Sequence, residues 1–184
     1  IQKPLNFMIG GFYQGGEMKV RNRLRANTAL GLPPLLQSGL HEVDIEALSL
    51  FGQVLWQVTD EVELSGGARW TDEERDHEFT NILGGGNQID LLVPSIRATN
   101  LSPEASITYT PKDNLTLFAS YREGFKSGSF NTTVSANSTT RTDFGDEKAK
   151  GGEVGLKARL LNDMMTLNLA GYYYKYSDLQ VGSN

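Results

Sequence analysis

The sequence predicts an all-β protein, an antiparallel transmembrane β-barrel section of about seven strands. Three observations predict it. Apolar residues recur at every second position through most of the 184 residues, which is the period of a strand with one apolar face. Tight polar turns alternate with long loops rich in Gly, Ser, Thr and Asn, as in outer-membrane barrels. No window keeps the i, i+3, i+4, i+7 apolar stripe with caps that an amphipathic helix requires.

The clearest strands are 62–70 and 154–160. In the second, every other residue is apolar, and Lys157 and Arg159 lie between them. One face of each strand is therefore apolar and the other polar. Further strands are expected at about 6–14, 47–58, 104–110, 115–125 and 164–176. The segment 115–125 has the length of about 9–11 residues that a membrane-spanning strand needs. Aromatic residues gather near strand ends, as in interfacial girdles.

We expect residues 1–184 to form one partial barrel region. Its short, periplasmic turns are expected at about 59–61, 111–114 and 161–163, where Asp and Asn side chains can bond the local backbone. Its long, extracellular loops are expected at about 15–46, 76–100 and 127–148. Unequal connections of this kind distinguish the two sides of an outer-membrane barrel.

Composition excludes several classes of function. A net charge of −5 and a pI near 5.1 argue against nucleic-acid binding, which favours a basic face. The absence of cysteine excludes a disulfide scaffold, a Cys-ligated zinc site and a thiol nucleophile. The glycines at 84–86 lack the Lys-Ser/Thr ending of a phosphate-binding loop. We therefore expect no enzyme, no cofactor, and neither a catalytic nor a metal site.

The two histidines, His41 and His77, fall in predicted long loops. We expect both to be exposed to solvent, because a metal site or a Ser-His-Asp triad needs further partners. An acidic cluster occupies 72–78 and lacks the spacing of an EF-hand loop. We interpret it as a solvated extension of a strand in preference to a Ca²⁺ site.

Five charged residues share the polar face of the predicted strands and would line the lumen of a barrel: Arg69, Arg122, Glu153, Lys157 and Arg159. The four cations among them are the candidate ligand-binding residues. We favour the alternative that the five form an ion-pair ladder with one another. Four further cations occupy the first long loop: Lys19, Arg21, Arg23 and Arg25. They could capture an anionic ligand, although a solvated loop explains them equally well.

The run from Tyr121 to Asn131 resembles the barrel of TonB-dependent outer-membrane receptors, which often carry Tyr-x-x-Gly-Phe-Lys-x-Gly-x-Phe-Asn where a strand leaves the membrane. The following segment 146–157 is similar to that family's Glu-x-x-x-x-x-Glu-x-Gly-x-Lys pattern. The strand at 167–180 and the upstream hairpin at 51–71 also fit, in the family's order.

The resemblance implies an interior section of a larger barrel of about 22 strands. It implies outer-membrane lipid, the remaining strands, a plug domain and a TonB-type coupling protein as partners, in a Gram-negative outer membrane. The ligand would be a scarce small molecule such as an iron–siderophore complex, with no nucleic acid involved. A passive porin-like barrel and a soluble β-sandwich binding module remain as alternatives.

Overall fold

The computed structural model describes residues 4–181 and consists almost entirely of strands. The strand bounds are β1 (Leu5–Arg25), β2 (Leu35–Gln57), β3 (Val62–Asn81), β4 (Asn87–Ile89), β5 (Ser95–Lys112), β6 (Leu115–Lys126), β7 (Ser129–Phe130), β8 (Asp143–Phe144), β9 (Glu147–Leu160) and β10 (Met165–Ser177). A 3-10 turn at Thr28–Leu30 follows β1. Among the described residues, no helix is long and apolar enough to cross a membrane.

One antiparallel sheet contains all the long strands, in the order β1-β2-β3-β5-β6-β9-β10. Every neighbour along the sheet is also the next long strand in the chain, so the topology is a meander. The short β4 pairs with β3, and β7 pairs with β8 in a separate two-stranded sheet. The predicted all-β antiparallel fold is confirmed. Over residues 4–181, β1 and β10 are the two unpaired edges of the sheet, which does not close into a barrel.

Several strands are longer than predicted, and the long connections are correspondingly shorter. The loop predicted at 15–46 is wrong, because β1 and β2 occupy most of it and leave only 26–34 between them. The loop predicted at 76–100 is reduced to 82–94, and that at 127–148 to 127–146. The strand ends were predicted wrongly because the prediction required apolar residues at every second position. Beyond residue 14 the alternation continues, but its outer positions are charged.

At the opposite end of the sheet, short turns join consecutive strands at 58–61, 113–114 and 161–164. The first is stabilised by the Thr59 hydroxyl, which accepts hydrogen bonds from the amides of Glu61 and Val62. The last contains three successive residues, Leu161 to Asp163, with φ between 54° and 66°. Asn and Asp tolerate this left-handed geometry because their side chains can bond the nearby backbone.

The pairing register brings apolar side chains together on one face of the sheet, which we call the outer face. They form a belt across the strands, which we call the apolar band. Residues opposite each other in neighbouring strands lie on the same face. The band runs through Phe7, Ile9, Leu50, Val54, Leu64, Ile107, Leu117, Val154, Leu156 and Leu169. Many of its members are exposed, Phe7 at 75% and Ile9 at 77%, so the band needs a hydrophobic covering.

Aromatic side chains mark the limits of the apolar band. Trp56 and Tyr109 lie on the outer face toward the short turns. Tyr13, Trp70, Tyr121 and Tyr173 lie on it toward the long connections. Interfacial girdles have this arrangement, because an aromatic ring with a polar group suits the boundary between lipid and water.

Candidate functional site

The other face of the sheet, which we call the lumenal face, carries polar side chains at the level of the apolar band. Hydroxyl groups pair across strands: Ser65 Oγ lies 2.7 Å from Ser106 Oγ, and Ser49 Oγ lies 2.9 Å from Thr71 Oγ1. Side chains of one face of an antiparallel sheet meet in this way at directly opposite positions. The strands thus present a hydrogen-bonding surface to the interior and hydrocarbon to the exterior.

Arg69 and Arg122, two of the predicted site residues, lie on either side of β5 on this face. Arg69 donates to Ser49 Oγ at 3.0 Å, and its guanidinium lies 5.7 Å from the centroid of the Phe12 ring. Arg122 Nε lies 4.0 Å from Oε2 of Glu104, the residue directly opposite it on the neighbouring strand β5. Both arginines are exposed; Arg122 is held only by the exposed Glu104, whereas Arg69 donates to Ser49, which is 1% exposed. They remain able to turn toward an anionic ligand.

Glu104 is also reached from two strands away. Gln53 Nε2 donates to Glu104 Oε1 at 3.2 Å, passing over Gly67 of β3, which lies between them. A Cβ at Gly67 would come within 2.9 Å of the Gly52 carbonyl oxygen and 3.3 Å of Glu104 Oε1. Glycine is therefore required here for the close approach of the two side chains.

The other two candidates, Lys157 and Arg159, lie toward the short turns and apart from the first pair. Lys157 Nζ is 5.8 Å from the centroid of the Phe118 ring. Arg159 donates to the Asp113 carbonyl at 2.7 Å and lies 3.6 Å from Asp163. Arg159 thus contacts two of the short turns.

The predicted ion-pair ladder among the five lumenal charges is wrong for the part of the chain that the structure describes. The cations contact Ser49, Glu104, Asp163, a carbonyl group and aromatic rings instead. The sequence pattern identified the shared face. It could not identify partners, because these come from strands and turns that alternation alone does not place in register.

Residues 127–146, which we call the cap loop, fold across the lumenal face at the end of the sheet with the long connections. The loop leaves from β6 and returns to β9, yet it reaches β1 and β2 on the far side. Asn22 donates to the Thr132 carbonyl, and Gln37 donates to Ser135 Oγ. Within the loop, Gly128 N donates to Asp146 Oδ1 at 2.8 Å, and Asn131 N donates to the Thr142 carbonyl at 2.6 Å.

The cap loop covers the apolar core of the described residues. Val43, Phe79, Phe130 and Ala136 are each at most 4% exposed. Phe130 and Ala136 come from the loop, whereas Val43 and Phe79 come from β2 and β3. Their burial supplies the stabilisation that keeps the loop in place, at roughly 25 cal/mol per Å² of apolar surface removed from water.

His41 and His77 lie at the centre of this core, so the prediction of solvent-exposed loop histidines is wrong. They are 0% and 2% exposed. Their rings are stacked, with centroids 5.2 Å apart, and His41 Nδ1 lies 3.0 Å from His77 Nε2. One of these nitrogens must donate and the other accept, which requires both rings to be neutral or only one to be charged. Phe130 packs on His77 at 4.6 Å between centroids.

Burial lowers the pKa of both imidazoles. Desolvation and, to a smaller extent, the neighbouring His41 together lower the pKa of His77 to about 4. Desolvation also lowers the pKa of His41, although the Val134 backbone partly opposes this. The imidazoles are thus neutral at pH 7. Among residues 4–181, no group of three or more His, Asp and Glu side chains is arranged to hold a metal ion.

A polar cavity of about 230 Å³ separates the cap loop from the sheet. Its walls include Glu73 and Arg75 of β3, which are joined by a 2.6 Å ion pair, and Asp143 and Asp146 of the loop. Sequence reasoning did not find these residues as a site. The sequence pattern places Glu73 in a solvated acidic run, because beyond residue 70 charged residues occupy both faces of β3 and hide the alternation of period two.

These features define a class of protein: a section of a membrane-spanning barrel with a polar lumen and a loop folded over one end of it. The family model described as TonB dependent receptor-like, beta-barrel, matches residues 5–184. The chain therefore belongs to the TonB-dependent receptor family, through its β-barrel region. The resemblance seen in the sequence is confirmed. No curated protein matches the sequence.

Solved structures share the fold at low sequence identity. The chain is similar to the ferric yersiniabactin uptake receptor FyuA from Yersinia pestis, at 18% identity and a TM-score of 0.78, covering 96% of this chain and 26% of that one. It is similar to the siderophore receptor PiuA from Acinetobacter baumannii, at 17% identity and 0.62, covering 91% and 28%. It also resembles the ferric-catecholate import receptor Fiu from E. coli K12 in its closed form, at 15% and 0.66, covering 94% and 28%. The chain spans only about a quarter of the length of these receptors.

Proposed function

We propose that this chain forms part of an outer-membrane receptor of a Gram-negative bacterium that takes up a scarce ligand such as an iron–siderophore complex. The cap loop carries the proposal, because it folds across a polar lumen at the end with the long connections. Membership of the receptor family and the similarity of the fold to solved siderophore receptors support it. No covalent bond is made or broken in this function, so no enzyme activity is expected.

The ligand would first meet the cap loop and then the lumenal cations. Many metal chelates are anionic, and guanidinium groups attract such ligands and can contact two oxygen atoms at once. Arg69 and Arg122 are the more suitable of the four candidates, because they lie nearer the cap loop and have weak partners. Lys157 lies deeper, and Arg159 is occupied by the turns.

Transport requires energy, since a scarce ligand must be moved against its concentration gradient. In this proposal a TonB-type coupling protein supplies it by acting on a plug domain, and the remaining strands close the barrel around that plug. A passive porin would need neither partner. Dependence on the coupling protein therefore distinguishes the two functions.

The test uses the full-length parent protein in iron-starved cells of its own host. Uptake of radiolabelled ferric siderophores is measured with the coupling protein present and deleted. Saturable uptake that requires the coupling protein is expected. Uptake that continues unchanged without it would identify a passive barrel.

Matched variants locate the ligand path in the same assay. Arg69→Gln with Arg122→Gln is expected to weaken ligand binding about tenfold, because each removes a charge-assisted contact. Lys157→Gln alone, which removes one lumenal charge further from the cap loop, serves as the control. An equal loss in both proteins would show that the lumen acts through its overall charge.

A further inference from the structure

Four aromatic rings form a continuous stack that joins the sheet to the cap loop. Phe79 of β3 packs on His41 of β2 with 4.6 Å between ring centroids, and His41 stacks on His77 at 5.2 Å. His77 in turn packs on Phe130, the buried aromatic side chain of the cap loop, at 4.6 Å. We call these four rings the ring stack. Through Phe130, the cap loop therefore rests directly on an ionisable ring.

Hydrogen bonding within the ring stack leaves no place for an added proton. A neutral imidazole has one N–H, and an imidazolium has two. His41 Nδ1 and His77 Nε2 already share one hydrogen bond. Their other nitrogens, His41 Nε2 and His77 Nδ1, are buried without a hydrogen-bond partner, although the Val134 backbone lies near His41. One added proton would create a buried cation with an unsatisfied N–H, and two would set donors against each other.

The elements around the ring stack supply no charge to neutralise an imidazolium. β1, β4 and β5 contribute Val20, Ile89 and Ile96 to this face, all of them apolar. None of the ion pairs in the described residues 4–181 includes a histidine. The ionisable groups on the surrounding elements are Glu73 and Arg75 of β3, Arg141, Asp143 and Asp146 of the cap loop, and Asp90 of the 82–94 connection.

These ionisable groups have other partners or lie in solvent. Glu73 pairs with Arg75, and Asp143 pairs with Arg141. Asp146 accepts a hydrogen bond from Gly128 N, and Asp90 is exposed. The carboxylates next to the histidines in the sequence lie on the outer face; they are Glu42, Asp76 and Glu78. An imidazolium in the ring stack is therefore hydrated only if the cap loop lifts and admits water.

The two ends of the cap loop are fastened to each other independently of the ring stack. Gln180, which follows β10, donates from Nε2 to the Ser127 carbonyl at 3.1 Å and to the Gly145 carbonyl at 3.0 Å. A Cβ at Gly128 would overlap the Phe144 carbonyl oxygen, so the two backbones are in direct contact there. We call residues 127–128 and 144–146 the neck. Amide and carbonyl groups hold it, and these do not titrate.

We propose that the cap loop is a lid that the neutral imidazole pair holds shut and that acid opens by rotation about the neck. This rests on the proposed function, which makes the cap loop the entrance to the lumen. A proton binds more tightly to the open state, where water hydrates the imidazolium, and therefore shifts the population toward it. The contacts on the far side of the lid, from Asn22 to Thr132 and from Gln37 to Ser135, are single hydrogen bonds between neutral groups.

The size of the acid response follows from the difference between the closed and open states. The pKa of His77 is about 4 in the closed lid, because of burial, and 6.5 for a hydrated imidazole. The closed lid is therefore most stable above pH 6.5 and loses stability as the pH falls toward 4. The open population should rise at least about tenfold between pH 7.5 and pH 5.

The test uses single-cysteine reporters in the full-length parent protein, freed of other cysteines and kept in isolated outer membranes. A membrane-impermeant maleimide measures the exposure of each thiol. Ala136→Cys reports on the lid, since Ala136 is 3% exposed, and Ser127→Cys reports on the neck, since Ser127 is 8% exposed. Val134→Cys, at 44% exposure in the same loop, corrects for the effect of pH on the thiol reaction itself.

Relative to Val134→Cys, labelling of Ala136→Cys should be at least about tenfold faster at pH 5 than at pH 7.5 and should slow again on neutralisation. Ser127→Cys should stay slow at both pH values. Adding His77→Phe to the Ala136→Cys protein should remove most of the acid response. Hydrogen exchange of residues 132–141 in the protein without reporters provides the same comparison if a cysteine disturbs the core.

Three results would overturn the proposal. Labelling of Ala136→Cys that ignores pH would show that the imidazole pair does not hold the lid. Ser127→Cys labelled as fast as Ala136→Cys in acid would show unfolding of the whole loop in place of rotation about the neck. A full acid response after both His77→Phe and His41→Phe would assign it to the loop carboxylates.

The labelling does not depend on transport, so the two proposals fail separately. A lid that opens in acid on a barrel that imports no ferric siderophore would contradict the proposed function alone. Import that requires the coupling protein, together with labelling that ignores pH, would contradict this inference alone.

Discussion

The apolar face of the strands at band level differs from the apolar face of the same strands further along. At band level the outer face is apolar, as at Val54 and Ile107, and the lumenal face is polar, as at Ser65 and Arg69. Beyond Tyr13 and Trp70 the strands continue past the apolar band, and we call this region the projecting part. Its outer face is charged, and its lumenal face carries the buried core around Val43. Lipid covers the first apolar surface and the cap loop covers the second. The same alternation of side chains therefore presents one apolar surface to lipid and another to the cap loop. The substitutions below distinguish these two coverings.

Phe130→Ala should have the largest effect, on the projecting part alone. Phe130 is 4% exposed and packs on His77, and removing a buried phenylalanine costs about 3–5 kcal/mol. We expect the cap loop to open, with faster amide hydrogen exchange across 127–146 and unchanged exchange at band level. Phe144→Ala, at 37% exposure in the same loop, is the control. Slow exchange retained in Phe130→Ala would show that the loop does not depend on the core.

Leu156→Lys should affect the band-level part alone. Leu156 lies on the outer face of β9, and a charge there costs about 2–4 kcal/mol near the bilayer midplane. A lower yield of folded full-length barrel in the outer membrane is expected, measured by heat-modifiable mobility in gels. Ser120→Lys, which places the charge on the lumenal face opposite Glu153, should fold normally. Equal yields from the two variants would contradict the assignment of the faces, and a lower yield of Ser120→Lys alone would reverse it.

Acid should weaken the cap loop without affecting the band. The pKa of His77 is about 4 in the folded protein and 6.5 in its ordinary state. The stabilisation is therefore complete above pH 6.5 and is lost as the pH falls toward 4, by up to about 3 kcal/mol. The nearest charges on this face, Arg75 and Glu73, already pair with each other. Hydrogen exchange of 127–146 between pH 7.5 and 5, corrected for the intrinsic rate, measures the loss.

His77→Phe separates the histidine from the other groups that titrate in this pH range. The variant keeps an aromatic ring against Phe130 and removes the ionisable group. Its cap loop should open to the same extent at pH 7.5 and at pH 5. A pH dependence like that of wild type would assign the effect to His41 or to the loop carboxylates.

Asp76→Asn should have the smallest effect and the opposite sign. It relieves repulsion with Asp44, which lies directly opposite on the outer face of β2, and should stabilise the projecting part by about 0.2–1 kcal/mol. The gain should shrink at high salt because these charges are screened. Denaturation of the full-length barrel at low and high ionic strength provides the measurement. Asp72→Asn, which breaks the bridge to Arg97, should not be stabilising.

The sequence predicted the fold through the apolar band, where alternation, turns and family motifs agree. It underestimated β1 and β2 because charge replaces apolar residues on their outer face beyond Gly15. It misplaced His41 and His77 for the same reason. Their burial depends on the cap loop, which begins 50 residues after His77 (127 − 77) and 86 residues after His41 (127 − 41), a contact that no local pattern encodes. The sequence correctly placed Arg69 and Arg122 on the lumenal face, because the face of a strand residue follows from its odd or even position alone.

The cap loop has a mechanical consequence for the opening that it covers. It begins and ends between β6 and β9 but is hydrogen-bonded to Asn22 of β1 and Gln37 of β2. It therefore acts as a chord drawn across an arc of five strands. A chord of fixed length sets the radius of an arc of fixed length, so this loop constrains the curvature of these five strands at its own level. Its release would change the shape of the entrance as well as its accessibility.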